Sequence, residues 1–380
     1  MTRRPLRIFA LLFCAGLLAT AIGAFLDPRR LAFSWLAAFA ACASTALGAL
    51  VLVAIAHAAR ARWIVAVRRL LEIPMAALPA FLLLLVPILA CLGDLYPWVD
   101  PAPALPAAEL AAIEHRRGWL QPAFFAVRAF LYLGLWSGFA LALGRGSIRL
   151  DQTGDAALHG RLQRISAAAL PLLVLAATFA AFDWLMSLQP AWLSTIFGIY
   201  WLTGGLAAAV ALLALLLPLL REEGLENHRI AVGKLLLALV ICWAYVAFMQ
   251  LLLIWIADLP HEVDFYRRRS AGGWSGVSTA LALLHFAIPF LLLLSRPLKA
   301  KPRLLAGVGA IVLLGHLLDG WWLVLPVLDP EGPRLHLLDL GAFATVAGAA
   351  GLFACWRLQG AALIASGDPW LASALRYRGS

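Results

Sequence analysis

Charge is scarce in this chain. Asp, Glu, Lys and Arg make up 13% of its 380 residues, where an ordinary soluble domain carries about a quarter. Cysteine is scarcer still. Cys14, Cys42, Cys91, Cys242 and Cys355 all lie in apolar stretches. None sits in a CxxC pair and no CxxCH marks covalent haem attachment, which excludes a secreted disulfide scaffold and a cysteine metal centre. The five read instead as small hydrophobes. Walker, dinucleotide-fingerprint, GxSxG and HExxH patterns are also missing, so no common soluble-enzyme chemistry is signalled. No exposed segment interleaves basic with aromatic residues. The formal charge of +10 therefore carries no sign of nucleic-acid binding.

What fills the chain is apolar: 63% hydrophobic residues and a mean hydropathy of +0.90. A soluble core cannot hide that much apolar surface, so the solvent is a lipid bilayer. Apolar runs near the 20-residue spanning length recur at about 6–26, 33–57, 75–93, 122–143, 166–186, 193–219, 231–257, 274–295, 304–326 and 339–359. Prolines and charges separate them, as at Asp27-Pro28-Arg29-Arg30 and Asp329-Pro330. The runs are too long and continuous for barrel strands. They predict an all-α polytopic membrane protein of about ten transmembrane helices, one integral membrane domain over 1–380. The first run is about 20 residues with no cleavage site followed by a polar start, so it is expected to be a retained helix.

Ten spans put the N-terminus, the even-numbered connections and the C-terminus on one side. That side carries 21 of the 30 Lys and Arg, among them Arg3, Arg4, Arg68, Arg69, Arg145, Arg149, Arg161 and Arg221. The asymmetry predicts that both termini, including a tail over 360–380, are cytoplasmic. Of the outer connections, 94–121 is the longest, and its 106–117 stretch reads as a short helix on the membrane surface. A second outer loop, 258–273, carries Asp258, His261, Glu262, Asp264 and Arg267-Arg268-Arg269. Trp98, Trp119, Trp192, Trp274, Trp321 and Trp322 fall near outer helix ends, where an aromatic belt would lie. Gly204-Gly205 and Gly307/Gly309 suggest close helix packing.

A charge at mid-bilayer costs about 2.5–3.5 kcal/mol on insertion scales, so each needs a reason. Arg128, Asp183, His285, His316 and Asp319 are the ionisable residues in that position, with Gln250 a neutral companion. His316 and Asp319 are three apart and share a helix face. The functional interpretation is a proton path or a quinone-headgroup site: a carboxylate and histidines exchange protons while an arginine tunes them. The structural interpretation is an Arg128–Asp183 ion pair and histidines bonded to backbone or hydroxyls. No redox-metal site is expected in this chain.

The stretch from Asp183-Trp184-Leu185-Met186-Ser187-Leu188-Gln189-Pro190 to Gly198-Ile199-Tyr200 resembles the F subunit of bacterial alternative complex III, a quinol:electron-acceptor oxidoreductase. Three further segments are similar to that family. They are Arg128-Ala129-Phe130-Leu131-Tyr132 with Trp136; Gly233-Lys234 through Trp243, Gln250 and Trp255 to Leu259-Pro260-His261-Glu262 and Gly272-Gly273-Trp274; and His285-Phe286-Ala287-Ile288-Pro289-Phe290 with Ser295-Arg296. The resemblance covers most of residues 70–325. It implies a membrane fold of the NrfD/polysulfide-reductase type, with two four-helix bundles (helices 2–5 and 6–9) flanked by helices 1 and 10. It also implies a bacterial inner-membrane location, menaquinol or ubiquinol as substrate, and proton translocation. The implied partners are an NrfD-like sister membrane subunit, an iron–sulfur subunit and haem c subunits, which hold the electron carriers. One departure stands out: the acidic residue and histidine usual around the proline of the first motif are Gln189 and Ala191 here. Two further expectations compete, a purely structural anchor of such a complex and a secondary transporter, which broken midplane helices and inverted repeats would favour.

Overall fold

The structure, a computed structural model, describes residues 3–102, 105–220 and 224–378, without the side chains of Arg3 and Arg4. Arg221 of the charge count lies outside the described residues, as do 103–104 of the outer loop and 379–380 of the tail. Every element among the described residues is helical.

Among the described residues, ten helices are long and apolar enough to cross a membrane: α1 Pro5–Leu26, α2 Pro28–Ala58, α3 Arg62–Ala90, α4 Pro122–Thr153, α5 Ala157–Leu188, α6 Phe197–Leu219, α7 Glu226–Ala257, α8 Trp274–Leu294, α9 Pro302–Val327 and α10 Leu337–Arg357. Each coincides with most of one of the apolar runs. Several reach further than the runs because their ends carry charges that helix neighbours satisfy. The third begins at Arg62 rather than near residue 75 for this reason. Arg68, Arg69 and Glu72 interrupt the hydropathy, yet all three are buried within α3. Pro74, Pro79 and Pro87 then break the regular hydrogen bonding of α3 into short helical pieces.

The helices form two four-helix bundles, α2–α5 and α6–α9, that share the α2/α6 contact; α5 also packs on α6, and α2 on α9. α1 lies along α10, and α10 covers α2. The α1/α10 pair is antiparallel: Gly16 faces Gly341 and Thr345, while Phe13 faces Gly348 and Phe9 faces Gly351. Both termini therefore lie at one end, the terminal end; the opposite end is the distal end. At the α2/α6 crossing, a Cβ on Gly205 would come within 2.3 Å of the Ser44 carbonyl oxygen. Only glycine allows that approach.

The outer surface is apolar where soluble proteins are polar. Leu11, Phe25, Leu26, Leu253, Trp255 and Ile256 are all exposed. Apolar residues on the outside of a helical bundle fit a lipid surround. The short helix expected in the outer loop spans Ala107–His115. The aromatic belt is corrected. Of the six tryptophans expected there, Trp98, Trp192, Trp274, Trp321 and Trp322 are buried and Trp119 is exposed. Two find polar partners inside: Trp274 Nε1 donates to the Asp329 carbonyl (2.8 Å) and Trp322 Nε1 to Ser278 Oγ (2.8 Å).

Candidate functional site

The five ionisable residues singled out in the sequence fall into two separate groups, one per bundle. Arg128 on α4 meets Asp183 on α5 side on. Nε donates to Oδ2 and Nη2 to Oδ1, both at 2.8 Å. Trp119 Nε1 (2.8 Å) and Tyr132 OH (2.9 Å) donate to the same carboxylate. Arg128 Nη1 reaches the Trp119 carbonyl at 3.1 Å, and its guanidinium lies 4.0 Å over the Trp119 ring and 4.2 Å over Phe124. Asp183 thus accepts four hydrogen bonds, so this group has the saturation that a buried ion pair needs to hold two helices together.

The second group joins His285 on α8 to His316 and Asp319 on α9. One ligand atom from each lies within 4.8 Å of the other two, and all three residues are buried. These donors are of a kind that could hold a divalent cation, a grouping invisible to linear spacing. The geometry of α8 brings His285 in. Ala282–Ala287 is a π-helical turn, and Pro289 follows it. Proline lacks the N–H that would bond the His285 carbonyl, and its ring pushes that carbonyl away, which favours a widened turn there. Gly315 on α9 makes room: a Cβ there would lie 2.9 Å from the His285 backbone nitrogen.

Within this group, Tyr200 on α6 donates its hydroxyl to Asp319. His316 Nε2 lies 3.0 Å from Ser44 Oγ and 3.1 Å from the Ala41 carbonyl, both on α2, so it reaches the seam between the bundles. The ring of Trp243 stacks on His285 at 4.0 Å and 8°. Neither nitrogen of His285, nor Nδ1 of His316, has a partner at hydrogen-bonding geometry among the described residues. Unlike Arg128–Asp183, this group is not saturated at hydrogen-bonding geometry.

Beside it lies a cavity of about 550 Å³ between α7 and α8. Tyr200 and Trp243 line it and touch the buried triad on their other sides. Gln250, Tyr266 and Ser278 make its polar lining, while Ile241, Tyr245, Phe248 and Leu251 form a lipid-facing apolar side. Gln250 is itself positioned, accepting from Ser194 Oγ and donating to Tyr266 OH, each at 3.1 Å. The size and the mix of an apolar body with a few polar groups suit an amphipathic small molecule entering from lipid.

Three buried groups escaped the sequence reading. Arg269, 1% exposed, has no carboxylate partner among the described residues. It donates to the carbonyls of Phe265 (2.9 Å), Trp322 (3.2 Å) and Leu323 (2.7 Å) and to Gln189 Oε1 (3.1 Å). Burial pushes this guanidinium below its ordinary value. A signal existed: Asp264 pairs with Arg267 and Arg268 at three and four residues, leaving Arg269 without a local partner. At the terminal end, Glu72 takes Arg68 (3.0 Å), Arg69 (2.7 Å) and Ser147 (2.6 Å), and Arg68 reaches Asp368 at 3.0 Å. The tail is therefore folded back: Asp368 is buried, and Trp370 stacks on His159 at 3.6 Å. At the distal end, Arg30 binds Asp329 and Asp339. These partners lie about 300 residues away, so no sequence spacing could pair them.

The fold and this site define a multi-pass α-helical membrane protein with a buried ionisable cluster beside a lipid-facing cavity. No family profile and no curated protein matches the chain.

Proposed function

We propose that this chain is a membrane subunit of a quinol-oxidising respiratory complex of the alternative complex III type, in the bacterial inner membrane with both termini cytoplasmic. The observation that carries this reading is the contact between the lipid-facing cavity and the His285–His316–Asp319 cluster through Tyr200 and Trp243. A quinol headgroup in the cavity would lie against Tyr200. Oxidation releases two protons and two electrons. The protons have Tyr200, Asp319 and the histidines beside them; the electrons pass to haem c and iron–sulfur partner subunits. The resemblance of the 183–200 and 285–290 segments supports the same assignment, as does the two-bundle arrangement. The saturated Arg128–Asp183 pair favours an anchoring role for the first bundle, so conduction is assigned to the second bundle.

The test is Asp319→Asn in the native complex, purified through this chain. Iron–sulfur and haem c subunits are expected to co-elute with wild type and variant alike, while proton movement coupled to quinol oxidation falls in the variant. Co-elution without redox subunits would overturn the complex. An unchanged proton stoichiometry would remove Asp319 from the path.

A further inference from the structure

The terminal ends of α4 and α5 line a wedge of about 240 Å³. Its walls repeat at helical spacing: Ala142, Arg145, Gly146 and Arg149 from α4, and Leu158, Arg161, Leu162 and Ile165 from α5. Within its wall the two helices come close, since a Cβ on Gly146 would lie 2.4 Å from a Leu162 methyl carbon. Three of the lining residues are arginines and none is acidic. The side chains of Arg145, Arg149 and Arg161 have no ion-pair or hydrogen-bond partner among the described residues. Nearby carboxylates are already engaged: Asp151 with Arg69 and the Gly367 N–H, and Asp155 with the Ala157 N–H. Arg357, at the end of α10, adds a cation close enough to Arg145 to repel it, and its Nη1 is buried with no partner. Arg145, Arg149 and Arg161 are exposed, so these like charges are open to an anion from outside the chain.

Depth identifies which anion. Arg145 lies 23 residues along α4 from Pro122, roughly 35 Å at the helical rise. The hydrocarbon core is about 30 Å thick, so this is the headgroup level of the far leaflet. The arginines line the wedge together with Leu158, Leu162, Ile165 and Ala142. We propose that this wedge is a binding site for an anionic phospholipid, its phosphate held by Arg145, Arg149 and Arg161 and its glycerol and upper acyl chains by the apolar wall. Guanidinium groups match phosphate oxygens in pairs, and basic pockets between helices at a membrane face bind such headgroups. The inference rests on the bilayer-spanning fold alone and is independent of any redox role.

The experiment uses the full chain in neutral detergent, titrated with phosphatidylglycerol, phosphatidylcholine or inorganic phosphate, with binding read by native mass spectrometry. Phosphatidylglycerol is expected to bind at least about tenfold more tightly than phosphatidylcholine. Removing three arginines, each worth about fivefold, in Arg145→Gln/Arg149→Gln/Arg161→Gln should weaken it on the order of 100-fold. Arg164→Gln, a neighbouring exposed arginine outside the lining, should leave it unchanged. If the triple variant does not fold, Arg149→Gln alone should cost about fivefold. Equal binding of the two lipids, or undiminished binding in these variants, would overturn the proposal. Displacement of phosphatidylglycerol by millimolar inorganic phosphate would overturn the lipid assignment in favour of a soluble anion.

Discussion

Buried charges in this protein differ in whether they are answered. Asp183 accepts four hydrogen bonds and Glu72 three, so both are satisfied. Among the described residues Arg269 has only neutral acceptors, one of them Gln189. An uncompensated buried charge is costly, and restoring a partner recovers part of that cost. Gln189→Glu should therefore stabilise the fold, by on the order of 2 kcal/mol, seen as a higher melting temperature in detergent. An unchanged or lower melting temperature would show that Arg269 is already fully served by the carbonyls. The same variant gives Arg269 a carboxylate partner in place of the Gln189 amide oxygen.

At the scale of helices, backbone proximity sets the geometry of the site. Tyr200 reaches Asp319 across the α6/α9 contact and His316 reaches Ser44 across the α2/α9 contact, and α6 closes the group by pressing on α2 at Ser44. Gly205 permits that approach, with backbone rather than a yielding side chain in the way. Gly205→Ala should cost about 1–3 kcal/mol through overpacking. Gly138→Ala on α4 meets nothing within 4 Å; it should be neutral or stabilising by up to about 1 kcal/mol, because alanine is the better helix former. Thermal unfolding of the two variants side by side checks this, and equal effects would rule out the close crossing. The Gly204-Gly205 pair was legible in the sequence as a packing feature. The π-helical turn was not, because a widened turn shows only in the backbone hydrogen bonds around Pro289.

At the scale of the whole molecule, ten crossings place both termini together, and the antiparallel α1/α10 contact agrees. The basic bias predicts that this end is cytoplasmic. In cells, a cysteine at exposed Glu331, in the distal connection before α10, should react with a membrane-impermeant thiol reagent. One at exposed Arg376 should react only after the membrane is opened. The reverse pattern would invert the topology and place the arginine wedge in the outer leaflet.

Composition and periodicity determined the solvent, the number of helices and which charges sit in costly places, because lipid penalises every unpaired polar group and so writes the spans into the sequence. They could not determine which charges meet. The spacing of His316 and Asp319 was local and readable, but His285 joins them across a helix interface, and Arg128 finds Asp183 only when α4 packs on α5. Tertiary structure alone decided that one cluster is saturated and the other open beside a cavity. Hydrogen-bond satisfaction depends on distances between segments remote in the chain, and no pattern along a single helix records them.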